Sequence, residues 1–512
     1  MSIWEGEIYM DSSILETYLD CNIFQPTNVD IPYIKTKSIV SICEELHFAI
    51  LTGARVMLYG DYDADGLFSM LVWKEVFDCI GYSNYFLYQY TKRTHHISPF
   101  IVQQAIHGNA EYIIICDTGC SVEDQNVLTS LKQYGLNIIV IDHHSSKYDY
   151  DALQREINVF NSFEEQDALN GDAVSGAYAA LLVANVLCLD FLHKPLANNA
   201  KCYALASMYS DVVDLSTKIG VALYNNVVLQ KLSMPAFMRA FNRYNYRIGK
   251  RFFQYIFNPP INACFRSEHF EDLNFLLSQK VIYKKEKCIE NILELHQFYS
   301  KLAATYSFKF TQERFGNLLY CVYNLEEGEK FVHIRNFSGL IANNIASAEN
   351  CAVVVLFKMK NNYQGSFRDP FKRNFLSFFE LFCNAGGHPP AFGITVPLDK
   401  IDFFKKNLIE MGARTSDNKD EKYIYIPSEC IETISDLQIV ALYNEYMNTN
   451  KSVVLKVICK KVSLIKSTSF YKYYNVDLPL QVTCVSPLMR GSILLVEPCI
   501  CKDIQLKEVA LL

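Results

Sequence analysis

The stretch with the most chemical content runs from Gly60 to Gly66. It reads Gly-Asp-Tyr-Asp-Ala-Asp-Gly and sets carboxylates at positions 61, 63 and 65. An apolar run of strand composition, Val56 to Tyr59, precedes it, and a helix-like pattern of Leu67, Met70, Leu71, Val72, Val76 and Phe77 follows. Carboxylates this close at the end of a buried strand repel one another unless a cation stands between them, and the usual cation is a divalent metal. A calcium-type acidic loop or a solvated turn would carry the same letters. Recurrence favours the metal site. Tyr112 to Cys116 is an apolar run ending in Asp117-Thr118-Gly119, and Asn137 to Ile141 is another ending in Asp142-His143-His144.

Helix-like segments near Leu67–Cys79, Pro99–Ile106 and Val122–Tyr134 separate these runs. Such alternation predicts an α/β domain with a parallel sheet covered by helices. Ligands of such sheets bind beyond the carboxyl ends of the strands, where Asp63, Asp65, Asp117 and His143 would emerge. Carboxylates and an imidazole converging without thiolates suit Mn²⁺ or Mg²⁺ better than a structural zinc. Cys116 and Cys120 flank Asp117. We read them as small buried fillers, the commoner place for a free thiol.

Asp-Tyr-Asp-Ala-Asp-Gly, the later Asp117, the Asp-His-His triplet and Asp211 in Ser210-Asp211-Val212-Val213 resemble the four motifs of the DHH phosphoesterase superfamily. The form Gly60 to Ser69 resembles its RecJ-like single-strand exonuclease branch, although Tyr59 stands where other branches more often carry a His. The resemblance implies that Asp63, Asp65, Asp117, His143 and Asp211 hold two Mn²⁺ or Mg²⁺ ions, with Asp117 bridging them. Asp61 would be a further ligand or a neighbouring base, and His144 would sit beside the substrate phosphate. Arg93, in the Lys92–His96 cluster, would face the nucleotide backbone; a solvated basic loop is the alternative.

Further along, Pro259 to Arg266 is similar to the RecJ pattern Pro-x-Ile-Asn-Ala-x-x-Arg, which puts Asn262 and Arg266 at the substrate. Gly365-Ser366-Phe367-Arg368 and Gly386-Gly387-His388 resemble two motifs of the DHH-associated domain, where Ser366, Arg368, Gly386, Gly387 and His388 would meet an anion. The expected architecture is a DHH catalytic domain with an N-terminal extension (1–217), a helical connector (218–280), a second α/β, DHH-associated domain (281–412) and a β-rich, OB-like or generic interaction module (413–512). In the connector, Arg239, Arg243, Arg247, Lys250 and Arg251 interleave with Phe237, Phe241, Tyr244, Tyr246, Phe252 and Phe253. That mixture suits a single-strand channel, where phosphates are neutralised and bases stack. An amphipathic structural segment is its plain alternative.

Composition bounds these readings. The chain has 512 residues, half of them hydrophobic, and a formal net charge of −7, so it is globular and not uniformly basic. Its seventeen cysteines are scattered without a Cys-x-x-Cys pair, and no secretory pattern opens the chain, so a cytoplasmic setting with reduced thiols is expected. The longest apolar stretch, Ala173 to Leu189, contains Ser175, Gly176 and Asn185 and reads as a buried helix, with no membrane partner. The resemblance implies a 5′-to-3′ single-stranded DNA exonuclease, acting on DNA or RNA beside a single-strand-binding protein or helicase. An oligoribonuclease, a cyclic-dinucleotide phosphodiesterase and a non-catalytic replication scaffold are the rivals.

Overall fold

A computed structural model of the chain describes residues 30–94, 96–146, 149–278, 285–324, 332–371, 373–388, 391–414 and 423–427. Beyond these it describes 431, 437, 440–441, 443–444, 452–459, 462–467, 471–476, 478, 480–484, 488–489, 492–500 and 504–511. Most of the N-terminal extension (1–29), His95, the polar linker Thr415 to Glu421, and Lys451, Lys460 and Lys461 lie outside the described residues. The chain divides into two compact units, Met1–Asn258 with Tyr423–Leu512, and Pro259–Lys422.

The first unit is built on a five-stranded parallel sheet of order β2-β1-β3-β4-β5. Its strands are β1 (Val56–Gly60), β2 (Tyr85–Leu87), β3 (Tyr112–Cys116), β4 (Asn137–Asp142) and β5 (Asn158–Asn161). Every residue of β1 and β3 is buried, as continuous apolar runs between two helical layers require. Helix α1 (Lys37–Thr52) is capped by Thr36 and buries Ile39, Ile42, Cys43, Leu46 and Ala49, a helical spacing that faces one side inward. Helix α2 (Ala64–Ile80) follows the acidic loop. Short helices α3 (Phe100–His107), α4 (Gln125–Gln133) and α5 (Tyr150–Glu156) cross between later strands.

Helix α6 (Gly176–Val186) is buried at every position. It starts four residues after Asp172, because Ser175 is extended (φ −87°, ψ 167°), and it continues as a π turn over Leu187–Phe191. Helix α7 (Asn198–Ser210) packs with α6 and α2, and this three-helix contact buries α2 almost all round. Among the described residues no helix is long and apolar enough to cross a membrane.

The connector is helical in short pieces, and its aromatics divide between two environments. Phe241, Phe252, Phe253 and Phe257 are core, in ring contact with one another, and Phe257 stacks on Phe252 and on Phe68 of α2. Tyr244 is exposed, as are Arg239, Arg243 and Arg247, and Arg251 lies over the Tyr246 ring at 5.8 Å. The expected mixture of bases and rings is therefore a basic outer face with tyrosines, over an inner face of phenylalanines.

The C-terminal part is a seven-stranded sheet of order β12-β13-β17-β18-β16-β15-β14. Its strands include β12 (Tyr423–Pro427), β13 (Ser452–Ile458), β16 (Val482–Cys484), β17 (Ile493–Ile500) and β18 (Ile504–Leu511). Sequence patterning misses β14 (Ser463–Ser467), β15 (Lys472–Asn475) and β18, whose residues mix lysines and serines with the apolar ones.

The second unit carries helices α8 (Asn258–Ser267), α9 (Glu271–Ser278), α10 (Lys285–Tyr306), α11 (Ser338–Glu349) and α12 (Ile401–Arg414). They accompany strands β6 (Thr311–Phe315), β7 (Leu318–Asn324), β8 (Ala352–Lys358), β9 (Asn362–Arg368), β10 (Asn384–His388) and β11 (Ala391–Pro397), a mixed six-stranded sheet of order β10-β11-β9-β8-β7-β6. Along its central strand β8 (Ala352–Lys358), Val353, Val355 and Phe357 enter one apolar cluster while Ala352, Val354 and Leu356 enter another. This alternation buries the strand on both faces.

The buried Asn444 tests the C-terminal packing. Its amide nitrogen donates to Val453 O (3.0 Å) and Pro498 O (3.1 Å), and its oxygen accepts from Val453 N (2.7 Å). Asn444→Ala leaves these backbone groups unsatisfied and should cost about 2–3 kcal/mol in urea unfolding. A loss under about 0.5 kcal/mol would show that water replaces the amide.

Candidate metal centre

The acidic loop closes on itself through two glycines. A Cβ on Gly60 would collide with the Gly66 carbonyl, and one on Gly66 with the Asp61 backbone. This close approach lets Asp63 cap α2, its Oδ1 accepting the Gly66 N–H at 3.0 Å. Asp65, in the first turn, is 1% exposed. Its oxygens accept the first two amides of α6, Gly176 N (2.7 Å) and Ala177 N (2.9 Å), together with the Ser207 hydroxyl from α7. The positive end of the α6 dipole thus faces a buried carboxylate.

His143 leaves the end of β4 with its Nδ1 2.9 Å from Val174 O. A carbonyl can only accept, so Nδ1 carries the proton. In neutral imidazole that leaves Nε2 as a lone pair, and Nε2 lies 3.0 Å from Asp117 Oδ1, 3.4 Å from Asp211 Oδ2 and 3.7 Å from Asp65 Oδ2. Asp117 follows β3 in the left-handed region (φ 62°), a conformation Asp tolerates better than most residues. A Cβ on Gly176 would come within 2.7 Å of Asp117 Oδ1, so α6 must begin with glycine to admit that side chain. Asp211 caps the end of α7.

Two groups of potential ligand atoms result, Asp117 with His143 and His144, and Asp65 with His143 and Asp211. Within each, the atoms lie within 4.8 Å of one another. Burial, then the Asp211 charge, pushes the Asp65 carboxyl well above the usual carboxylate range; burial, then Asp65, does the same to Asp117. Asp63 is raised by burial and by Asp211. Asp117 Oδ1 and Asp61 Oδ1 are buried and accept no hydrogen bond among the described residues. Such acids ionise together only when a cation replaces the missing solvent, and hard oxygens with one imidazole fit a divalent ion of the Mn²⁺ or Mg²⁺ kind. Cys116 and Cys120 are buried and enter neither group.

Asp142 lies beneath these groups and has a different task. Its Oδ1 accepts from His143 N (2.7 Å), His144 N (3.2 Å) and His144 Nδ1 (2.8 Å), and its Oδ2 from Cys120 N (3.2 Å). Burial opposes its charge, but His144 outweighs burial and holds the carboxyl well below its usual range. In turn His144, its side chain 54% exposed, is pushed up to about 10 despite desolvation, chiefly by Asp142. Asp61 is pushed up to about 7 by burial and then by Asp63. Arg93 is half-buried, and its charge is the least of the influences that draw Asp61 and Asp63 back down.

In the second unit, Arg266 (α8), Ser366 and Arg368 (β9, Asn362–Arg368) come together. Arg368 is lowered to about 10 by burial and by the Arg266 charge, and His296 is lowered by burial and by the same arginine. Arg368 Nη1 donates to Phe367 O at 2.6 Å, and its guanidinium occupies the space that a side chain on Gly339 would need. Ser366 Oγ pairs with Ser338 Oγ (2.8 Å) at the start of α11. Arg368 has no ion pair with Asp369, the acid next in sequence, among the described residues. Asp369 is taken by Arg373 at 2.9 and 3.0 Å.

Asn262 sits one turn before Arg266 on α8. Gly386 and Gly387 are on the edge strand β10 (Asn384–His388), with open space where a Gly386 side chain would be; the His388 side chain lies outside the described residues. Sequence reasoning passed over Asp142, Gly176 and Ser207. Asp142 was available as the first letter of the Asp-His-His triplet, whereas Gly176 and Ser207 carry no local signal.

Residues 55–206 match the N-terminal domain model of the DHH family. Crystal structures of RecJ from Thermus thermophilus are similar in fold. The Mn²⁺ complex is 16% identical with a TM-score of 0.72, covering 95% of this chain and 73% of that one. The Mg²⁺ complex is 15% identical at 0.64, covering 94% and 72%. The single-stranded-DNA-specific exonuclease RecJ of Escherichia coli (strain K12) is 28% identical over 130 residues, which span 25% of this chain and only 22% of that protein. Residues 55–206 thus match the N-terminal domain of the DHH family. Over most of its length the chain is similar to RecJ in fold.

Without metal, the raised Asp61 and His144 give stability that is present at low pH and lost as pH rises, through about 7 for Asp61 and about 10 for His144. The melting temperature of chelated protein should therefore fall between about pH 5 and 8, and Mn²⁺ should abolish that slope. Asp117→Asn keeps the shape and the left-handed backbone. It should raise the metal-free stability by about 1 kcal/mol while weakening Mn²⁺ binding at least about tenfold, read by calorimetry. Unchanged Mn²⁺ affinity would remove Asp117 from the site.

Proposed function

We propose that this protein is a divalent-metal-dependent phosphodiesterase, and specifically a 5′-to-3′ single-strand exonuclease. The observation that carries the reading is the convergence of Asp65, Asp117 and Asp211 on His143 Nε2. In this reading Asp63, Asp65, Asp117, His143 and Asp211 hold two Mn²⁺ or Mg²⁺ ions. Bound there, the ions supply Lewis-acid activation of water and charge neutralisation at phosphorus.

The chain's own groups do the rest. His144, kept protonated by Asp142, donates to a phosphate oxygen from its half-exposed position. Asp61, poised near neutrality, accepts a proton beside the ligands. Arg93 holds the phosphate of the strand against the acidic face. Arg266 and Arg368, with the Ser366 hydroxyl, Asn262 and the amides of Gly386 and Gly387, take the 5′-terminal phosphate, and His388 completes that set. A terminal monoester carries nearly two charges and three acceptor oxygens, and two guanidinium forks match it. The basic outer face of the connector guides the strand, with a single-strand-binding protein or helicase as partner. The substrate is a single strand, of DNA or RNA, and the setting is cytoplasmic.

Digestion of end-labelled DNA and RNA strands with Mn²⁺ tests the reading, with a dinucleotide as control for the short-substrate enzymes. The 5′-phosphorylated strand should be degraded faster than its 5′-hydroxyl form. Arg368→Ala should reduce that preference about tenfold with Mn²⁺ still bound. Digestion from the 3′ end, or no hydrolysis at all, would overturn it. Replacing Arg243, Arg247 and Arg251 together should flatten the salt dependence of strand binding by about 2 in log–log slope, with cleavage of a dinucleotide nearly unchanged. Equal losses on both substrates would make the connector structural.

A further inference from the structure

Asp124 stands just before α4, where an aspartate ordinarily caps its own helix. It makes no such cap. Its side chain, in a residue 1% exposed, turns away: Oδ1 accepts the Ile97 N–H at 2.7 Å and Oδ2 accepts the Ser121 hydroxyl at 2.6 Å. The next amide, Ser98 N, donates at 3.0 Å to the hydroxyl of the fully buried Tyr59, the residue that stands where other branches carry a histidine. Two consecutive amides of one loop are thus anchored by two buried side chains from elsewhere in the chain. That loop begins after β2 and carries Arg93, four residues before Ile97. Its front end is held too: Tyr90 OH approaches Asp61 O (3.4 Å), beside a Tyr62–Tyr88 hydroxyl pair at 2.8 Å. Asp124 closes the segment that Asp117 opens, and Cys120 within that segment bonds to Asp142.

We propose that Asp124, with Tyr59, is a positioning residue. It ties the Arg93 loop to the Asp117 segment, so that the arginine stands at the acidic face and engages a strand phosphate there. The proposal rests on the reading of Arg93 as a phosphate contact. A buried carboxylate spent on a neighbouring loop's amide, and not on its own helix, fixes that loop relative to Asp117 by a charge-assisted hydrogen bond. Losing it frees the backbone that carries Arg93 without touching a ligand atom. Such a loss weakens strand binding and leaves the chemical step alone.

The test uses the full chain with Mn²⁺ and a 5′-phosphorylated DNA strand. Asp124→Ala should raise KM about tenfold with kcat within about twofold, and Tyr59→Phe should do so to a smaller extent. Asp124→Asn, which keeps an acceptor for Ile97 N–H, should restore most of the loss. In an Arg93→Ala background, Asp124→Ala should add less than about twofold, because the two changes act on one contact. Mn²⁺ affinity should be unchanged throughout. Independently of activity, amide exchange of peptides spanning 89–99 should quicken in Asp124→Ala. Unchanged exchange would overturn the positioning role, as would a KM effect that persists in full without Arg93. Quickened exchange with an unchanged KM would overturn the link to the strand and remove Arg93 from binding, while the metal centre stood. A wild type that hydrolyses no strand would sink the functional reading, and the exchange comparison would then decide the positioning alone.

Discussion

Three carboxylates, Asp65, Asp117 and Asp211, are held within hydrogen-bonding or near-contact distance of one imidazole nitrogen, in a place that water barely reaches. Buried like charges are among the most costly arrangements a fold can hold, and the surroundings are organised to contain them. The positive end of α6 points at Asp65, and Ser207 adds a donor from α7. What these donors leave uncompensated is a place for a cation. The close packing of α2, α6 and α7 follows from the same need, since each helix delivers either an acid or the groups that neutralise one.

Geometry at the strand ends is set by backbone more than by side chains. Gly60 and Gly66 allow the loop after β1 to fold back on itself, and Gly176 leaves room for Asp117. Asp117 itself adopts a left-handed conformation, at a cost that the surrounding contacts sustain. Asp142 then fixes both the segment after Asp117, through Cys120, and His144, through the imidazole. One buried carboxylate thereby sets the relation between two successive loops. The His144 charge, with the hydrogen bonds that Asp142 accepts, holds its carboxyl below the usual range, whereas burial raises Asp65 and Asp117.

The second unit presents the opposite electrostatic problem. Arg266 and Arg368 lie close enough to oppose each other's charge, and Asp369, the acid next in sequence, is spent on Arg373. Crowded guanidinium groups beside a pair of serine hydroxyls are stable in the same conditional sense as the crowded acids: a ligand of the other sign relieves them.

Much of the metal centre is legible in the sequence because each of its acids follows a short apolar run. A strand buried on both faces must be apolar throughout, and a parallel sheet brings all its carboxyl ends to one edge. From those facts alone Asp63, Asp65, Asp117 and His143 are expected at one edge, and the Asp-His-His motif lies within the residues that match the DHH family model. The division of the connector's aromatics was not legible. Phenylalanines and tyrosines at helical spacing read alike until packing decides which face turns inward, and Phe241, Phe252 and Phe253 turn to the core. The C-terminal strands β14 and β15 were missed for a related reason: an edge or half-exposed strand need not be apolar. Nor could sequence assign Asp124, Gly176 or Ser207. Their roles consist in contacts across 27, 111 and 142 positions of chain, with Ile97 for the first and Asp65 for the other two. Only the folded backbone creates those contacts, because hydrogen bonding and steric fit depend on distance in space and not on order along the chain.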